Sequence, residues 1–358
     1  MFARTLALVF VIAALPASAA RAQEVRIGVL GLFHPTQLSV SAGQGAALLA
    51  HAGDTSFVIE NSSSCRIANL KSQGDRLDLD CGELSVHAPE ITLASREGTP
   101  AEFYLAIPGK IRRRYQGKLE VAARSGGLIA IVRMDVETAV ASVVAAETLP
   151  DTPLEALKAQ AIAARSYLLA GQGRHHDFDF CDTTHCQFLR QPPPPGMPAA
   201  IAARATRGLV LAYEHRVFAA MYTRSCSGHT HTPSELGMPG SRYPYFSVAC
   251  KYCREHPAHW QTRISVRDSI ELRRLDENAR LQIVRRLGWD TIPGDDFTTR
   301  DQGGIMVVEG VGQGHGIGLC EAGARAMAAA GVDFRQILEH YYPNTTVISA
   351  ATETAATR

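Results

Sequence analysis

DVETAVASVVAAETLPDTPLEALKAQAIAARSYLLA, residues 135–170, is where the chain changes character. Asp135 is a short acidic side chain suited to an N-cap, and Val136, Ala139, Val140, Val143 and Val144 follow at helical spacing. This helix should stop near Glu147, because Pro150 disfavours helix at the residue before it. A second helix is expected at once, with Thr152 as N-cap, Pro153 at the first helical position and Glu155 completing a capping box. Leu154, Leu157, Ala161 and Ala164 mark one side of it, and it should end near Gly171.

Upstream the texture is different. From Val25 to about Lys118, short runs such as Val25–Leu30 and Ser56–Ile59 are broken by glycine, serine and asparagine, the signature of strands and turns. Leu119 to Val132 continues as strand, turn and strand around Ser125-Gly126-Gly127. Downstream come a polar loop at 174–190, a stiff Pro192–Pro195 spacer and a short alanine-rich helix. Strands are then expected at Leu209–Tyr213 and Val217–Tyr222. Residues 264–303 read as charged and helical, 310–318 as a glycine-alternating strand, and Glu321 as a helix start. The fold class is therefore α+β. Residues 1–22 are expected to form a signal peptide, 23–118 a β-rich N-terminal lobe, 119–348 a mixed α+β core, and 349–358 a disordered tail.

The N-terminus carries Arg4, the unbroken apolar run Leu6–Leu15, Pro16, and the small-residue sites Ala17-Ser18-Ala19 and Ala20-Arg21-Ala22. That is the layout of a secretory signal, and the run is too short to span a bilayer. The mature chain is expected to be exported, to the periplasm or the extracellular cell wall, with no membrane span. Loss of Arg4 and Arg21 leaves 34 basic against 35 acidic residues, a balance that gives no reason to expect a nucleic-acid partner. In an oxidising compartment some of the eight cysteines should pair, and Cys65 with Cys81, isolated from the rest, is the expected bond.

Four stretches carry chemistry. The first holds Ser125-Gly126-Gly127-Leu128, Val143-Val144-Ala145-Ala146-Glu147 and Glu155 through Tyr167. The others are Cys181-Asp182-Thr183-Thr184-His185-Cys186-Gln187, Cys226-Ser227-Gly228-His229-Thr230, and Gly314-His315-Gly316-Ile317-Gly318 with Glu321-Ala322-Gly323-Ala324. In this order they resemble the sporulation stage II protein D and amidase-enhancer family, over residues 100 to 345. The resemblance implies action on peptidoglycan glycan strands, as a lytic transglycosylase or as the enhancer of a partner amidase. It also implies a zinc in some members. A sporulation role rests on the family name alone and is not carried over.

The residues themselves add to this. Glu147 ends an apolar helix between Val144 and Leu149, where desolvation raises a carboxyl pKa and keeps a proton available for a glycosidic oxygen. In a lytic transglycosylase the sugar's 6-hydroxyl attacks the anomeric carbon, so Glu147 alone can serve as acid and then base. The bland alternative is a carboxylate that only touches the next helix. Lys158 and Arg165, seven residues apart, share a helix face and either line a cleft for acidic sugar groups or snorkel at the surface. His175, Cys181, His185 and Cys186, with His176 as a substitute for His175, form a thiolate–imidazole set suited to a closed structural zinc site. Four protein ligands leave no place for activated water, which argues against a zinc hydrolase; a Cys181–Cys186 disulfide is the competing reading. Gly310, Gly312, Gly314, Gly316 and Gly318 would share one strand face and leave bare backbone for a ligand, with His315 on the opposite face contacting sugar or buried with a satisfied hydrogen bond. Cys250 and Cys253 form a lone C-x-x-C near His256 and His259, a weak signal for metal or redox work. In an exported chain structural disulfides among Cys226, Cys250, Cys253 and Cys320 are the favoured reading, with Cys226 bonded to one of the pair among the three connectivities that sequence leaves open.

Overall fold

The computed structural model describes residues 23–238, 240–272, 283, 286–288 and 290–350. The expected signal peptide and residues 351–358 lie outside the described residues. In the first eleven strands, Glu24 to Asp135, buried and exposed positions alternate, as in Ala101–Ile107, because one face packs inward and the other meets water. Together with Phe180–Cys181 they form a twelve-stranded sheet that curls into a nearly closed, barrel-like shape. The fourteen-residue strand Ile111–Arg124 joins its parts: its first half pairs with Ala101–Ile107 and its second with Gly127–Arg133 and Glu90–Leu93. The expected boundary at Lys118 falls inside this one strand, and a single apolar core runs from Val25 to Ala203. Cys65 and Cys81 lie at disulfide-bonding distance.

Helices α1 (Val136–Glu147) and α2 (Leu154–Ala170) follow, as the pattern at 135–170 predicts. Asp135 caps α1 by accepting the Glu137 and Thr138 amides. The predicted cap of α2 does not form. Pro153 takes the N-cap position, Thr152 Oγ1 is buried without a hydrogen bond, and Glu155 instead pairs with Lys158 and accepts the Phe334 amide. Twelve of the seventeen α2 residues are buried because the helix separates two cores. Leu157, Ala161 and Ala164 face the sheet, α1 and α3 (Pro198–Ala205), while Ala156, Ala159, Ile162 and Ala163 face the C-terminal half. A helix buried on all sides needs small side chains, which accounts for its alanines.

The C-terminal half supplies α4 (Lys251–Glu255), α5 (Val266–Leu272), α6 (Glu321–Ala329) and α7 (Phe334–Tyr341). Residues 264–303 are not helical throughout, since Phe297–Gln302 is a strand paired with Ile305–Val311. Ser349 also departs from expectation: Thr346–Ser349 pairs with Leu209–Ala212, and the Ala350 amide bonds Gly208 O.

The glycine run is not a strand. Its strand ends at Val311, and Gly312, Gly314, Gly316 and Gly318 have φ of 84°, 90°, 70° and 73°. Only glycine adopts this left-handed backbone without strain. The space beside each is also taken by the protein: a Cβ at Gly314 would lie 2.5 Å from Thr223 Oγ1, at Gly316 2.6 Å from His231, and at Gly318 1.9 Å from Met221 O. Period-two glycine here serves a tightly folded loop, not an open sheet face.

Candidate active site

α1 delivers Glu147 to a break between two helices and into contact with two loops. Its Oε1 accepts the Phe188 amide at 2.6 Å, and its Oε2 is buried with no hydrogen-bond partner among the described residues. The Tyr222 hydroxyl approaches the same carboxyl closely enough to favour its charged form, yet completes no hydrogen bond of good geometry. Burial dominates over Tyr222, the Phe188 amide and Arg224, and pushes Glu147 up to about 7. With Oε1 occupied by a donor, Oε2 is the oxygen that would carry the proton when the group is protonated.

Beside this carboxyl lies an open cleft of about 160 Å³. Thr148, Gln160, Arg224, Ser225, Glu321 and Arg325 supply its polar lining, and Leu149 and Leu319 part of its apolar wall. The lining stops one residue short of Glu147, at Thr148. Glu321, at the start of α6, accepts Gln160 Nε2 at 3.2 Å. Desolvation, then the neighbouring Glu147 charge, raise Glu321 well above the usual carboxylate range. Two buried carboxyls near enough to raise each other's cost of ionisation resist being charged together. Buried polar atoms without partners gather here: Glu147 Oε2, Tyr222 OH, Thr152 Oγ1, Ser225 Oγ and Arg325 Nε belong to this region. Buried polar groups without a protein partner call for ordered water or a polar guest.

The sequence-predicted residues divide. Arg165 does not reach the cleft: it is completely buried, makes a bidentate pair with Glu137 at 2.9 and 2.7 Å, and donates to Ala203 O and Leu209 O. Lys158 pairs with Glu155 on the Phe334 side of α2 and does not line the cleft either. The reason is that α2 turns only Ala156 and Gln160 toward the cleft, while Lys158 is held by Glu155 and Arg165 by Glu137. The cations of the cleft are Arg224 and Arg325, which the sequence reading did not single out, nor did it assign roles to Tyr222 and Glu321. Glu321 lies in the quoted Glu321-Ala322-Gly323-Ala324 motif, which was the available signal. Gly314 and Gly316 are packed against Thr223 and His231, so their proposed contact with a ligand is withdrawn on steric grounds. His315 Nδ1 accepts the Ile317 amide at 3.0 Å and is outside the cleft lining.

His175, Cys181, His185 and Cys186 do converge, with ligand atoms all within 4.8 Å of one another. Individual separations are 3.2 Å for His175 Nε2 to Cys186 Sγ, 3.7 Å for Cys181 Sγ to His185 Nδ1 and 3.5 Å for Cys186 Sγ to His185 Nδ1. Tetrahedral zinc with the usual bond lengths spaces its ligand atoms about 3.3–3.8 Å apart, so this donor set fits the ion. Neither cysteine is in a disulfide, and His176 is exposed and turned to Asp177. The loop then runs directly into Gln187, which bonds Ala164 O, and Phe188, whose amide holds Glu147.

Part of this region matches a known protein family. Residues 124–213 match the SpoIID family model, described as Stage II sporulation protein. Stage II sporulation protein D of Bacillus amyloliquefaciens is 23% identical over 278 residues, covering 62% of this chain and 76% of that protein. The chain is homologous to stage II sporulation protein D. The amidase enhancer of Bacillus subtilis is 50% identical over a short stretch of 42 residues, 12% of this chain and 6% of the enhancer. An uncharacterised protein of Brachyspira hyodysenteriae is 25% identical over 308 residues, covering 76% of this chain and 80% of its own length. The SpoIID segment contains Glu147 and the His/Cys loop but ends before Tyr222, Arg224 and Glu321. No helix among the described residues is long and apolar enough to cross a membrane.

Proposed function

We propose that the chain acts on the bacterial cell wall as a peptidoglycan lytic transglycosylase, cleaving the bond between N-acetylmuramic acid and N-acetylglucosamine. The observation that carries this is the desolvated Glu147 carboxyl, with its pKa near 7 and one oxygen unpartnered, beside a cleft lined with unsatisfied polar groups and two arginines. Glu147 Oε2 gives its proton to the glycosidic oxygen as that bond breaks. The resulting carboxylate takes the proton of the sugar's 6-hydroxyl as its oxygen bonds the anomeric carbon. No water is consumed, and the acid is regenerated. Phe188 N–H and Tyr222 OH stabilise the carboxylate between the two steps, and Arg224 and Arg325 suit the lactyl carboxylate of the substrate. Export to the periplasm or wall belongs to the same proposal and rests on the N-terminal pattern.

The His175/Cys181/His185/Cys186 zinc is part of this reading as a staple. When bound it closes the loop whose end places the Phe188 amide on Glu147; four protein ligands leave it no catalytic water. The similarity to the amidase enhancer supports a second reading, a non-catalytic partner of a cell-wall amidase. Release of soluble fragments from purified sacculi separates the two. Wild type should release them and Glu147→Gln should not, whereas the enhancer reading requires that neither does without an added amidase.

A further inference from the structure

Cys226, Cys250, Cys253 and Cys320 are not paired as disulfides, contrary to the expectation from their compartment. They are scattered over almost a hundred residues, yet all four sulfurs lie within 4.8 Å of one another, buried beneath the wall of the cleft. None lies in the segment that matches the family model. We propose that these four cysteines form a second metal site, a structural four-thiolate zinc centre.

Several observations carry this beyond proximity. A disulfide would bring sulfurs together in pairs with bonds of about 2.05 Å, leaving the pairs separate. Here the four sulfurs form one mutual group, and Cys253 Sγ to Cys320 Sγ is 3.5 Å, close to the edge of about 3.8 Å for four sulfurs around zinc. The span leaves room for a single ion and not for a multi-iron cluster. The Cys226 and Gly323 amides both point at Cys320 Sγ, at 3.4 Å each, and the Tyr341 hydroxyl lies 3.4 Å from Cys250 Sγ. Donors converging on sulfur are what a metal-bound thiolate requires to disperse its charge. The backbone also makes space for it. A Cβ at Gly323 would fall 2.6 Å from Cys250 Sγ and 1.9 Å from the Tyr341 hydroxyl. Cys250 and Cys253 have two residues between them, the C-x-x-C spacing of zinc ligand pairs, and they gain two distant partners only through the fold.

The position gives the site its purpose. Tyr222–Thr223 and Leu319–Cys320 are parallel strands, Tyr222 opposite Leu319 and Thr223 opposite Cys320. Cys226 follows the first, Cys320 ends the second, and Glu321 is the next residue. One ion held by both strands and by α4 therefore fixes Tyr222, Arg224 and Glu321 against Glu147. On binding, each thiol gives up its proton to solvent and each sulfur becomes a ligand. The site does not depend on the proposed reaction.

The test is zinc stoichiometry on the full mature chain, purified without added metal. Native mass spectrometry and elemental analysis of wild type should give two zinc ions per chain. Cys181→Ser with Cys186→Ser should leave one, and Cys253→Ser should also leave one. Alkylation of denatured, chelated but unreduced wild type should label all four cysteines, which keeps the test open if a variant fails to fold. A Cys226, Cys250, Cys253 or Cys320 peptide linked through a disulfide overturns the proposal. So does a wild type with a single zinc that disappears with Cys181 and Cys186.

Discussion

The protonation of Glu147 should be visible in folding stability, independently of any substrate. Its carboxyl is raised from 4.5 to about 7, with burial as the largest cause. Between those two values the folded chain holds a proton that the unfolded chain has released. The folded state then binds more protons, so stability falls as pH rises through this window. At 1.36 kcal/mol per pH unit the gap amounts to about 3 kcal/mol, in full above pH 7 and absent below pH 4.5. Glu147→Gln removes this dependence, because the amide never ionises, and it also relieves the neighbouring Glu321 of a like charge. Urea unfolding of both proteins at pH 5 and pH 8 measures it. Wild type should lose stability relative to the variant by about 2.5 kcal/mol on going from the lower to the higher pH, the remainder having been lost below pH 5. A wild-type–variant difference that is the same at both pH values would mean that Glu147 titrates like an exposed carboxylate, and the argument for a retained proton would fail.

Arg165→Met should cost about 3–5 kcal/mol by leaving Glu137 and two carbonyls unpaired inside the fold, whereas Lys158→Met should cost under about 1 kcal/mol; thermal melts of both measure the contrast. Tyr222→Phe removes a group that pulls the Glu147 carboxyl down, so the alkaline limb of the activity profile should move to higher pH, and an unmoved limb would exclude the hydroxyl from the proton balance. Gly318→Ala should lower the melting temperature because its Cβ would overlap Met221 O, while sacculus binding by the fraction still folded should remain normal. Cys181→Ser with Cys186→Ser, which removes the proposed His/Cys-loop zinc alone, should weaken cleavage through the Phe188 amide, and cleavage unaffected by that double change would break the proposed link.

Much of the helical half was legible because its signals are local. Asp135 caps, Val136–Val144 repeat and Pro150 breaks within sixteen residues, and α1 ends at Glu147 as these dictate. The donor set at 175–186 was legible for the same reason. The misreadings share another cause. Thr152, Pro153 and Glu155 carry the local pattern of a cap, but Glu155 is claimed by Lys158 and by the Phe334 amide 179 residues away. Seven-residue spacing correctly put Lys158 and Arg165 on related turns, yet nothing local reveals that α2 is enclosed by two cores. Alternating glycine looks the same in sequence whether it clears a strand face or permits positive φ at every second residue. The cleft combines α1, the strand at Tyr222 and the start of α6, and the four distant cysteines meet only once those elements have packed. Such convergence is set by topology, which a single sequence does not display.

The central claim, that Glu147 drives non-hydrolytic glycan cleavage, is tested most directly by the chemistry of the new sugar terminus. Purified peptidoglycan is digested with wild-type protein and with Glu147→Gln, and the products are read by mass spectrometry. The account predicts 1,6-anhydro-N-acetylmuramic acid ends from wild type and no new ends from the variant. Reducing ends from wild type, or anhydro ends that persist with Glu147→Gln, would contradict it.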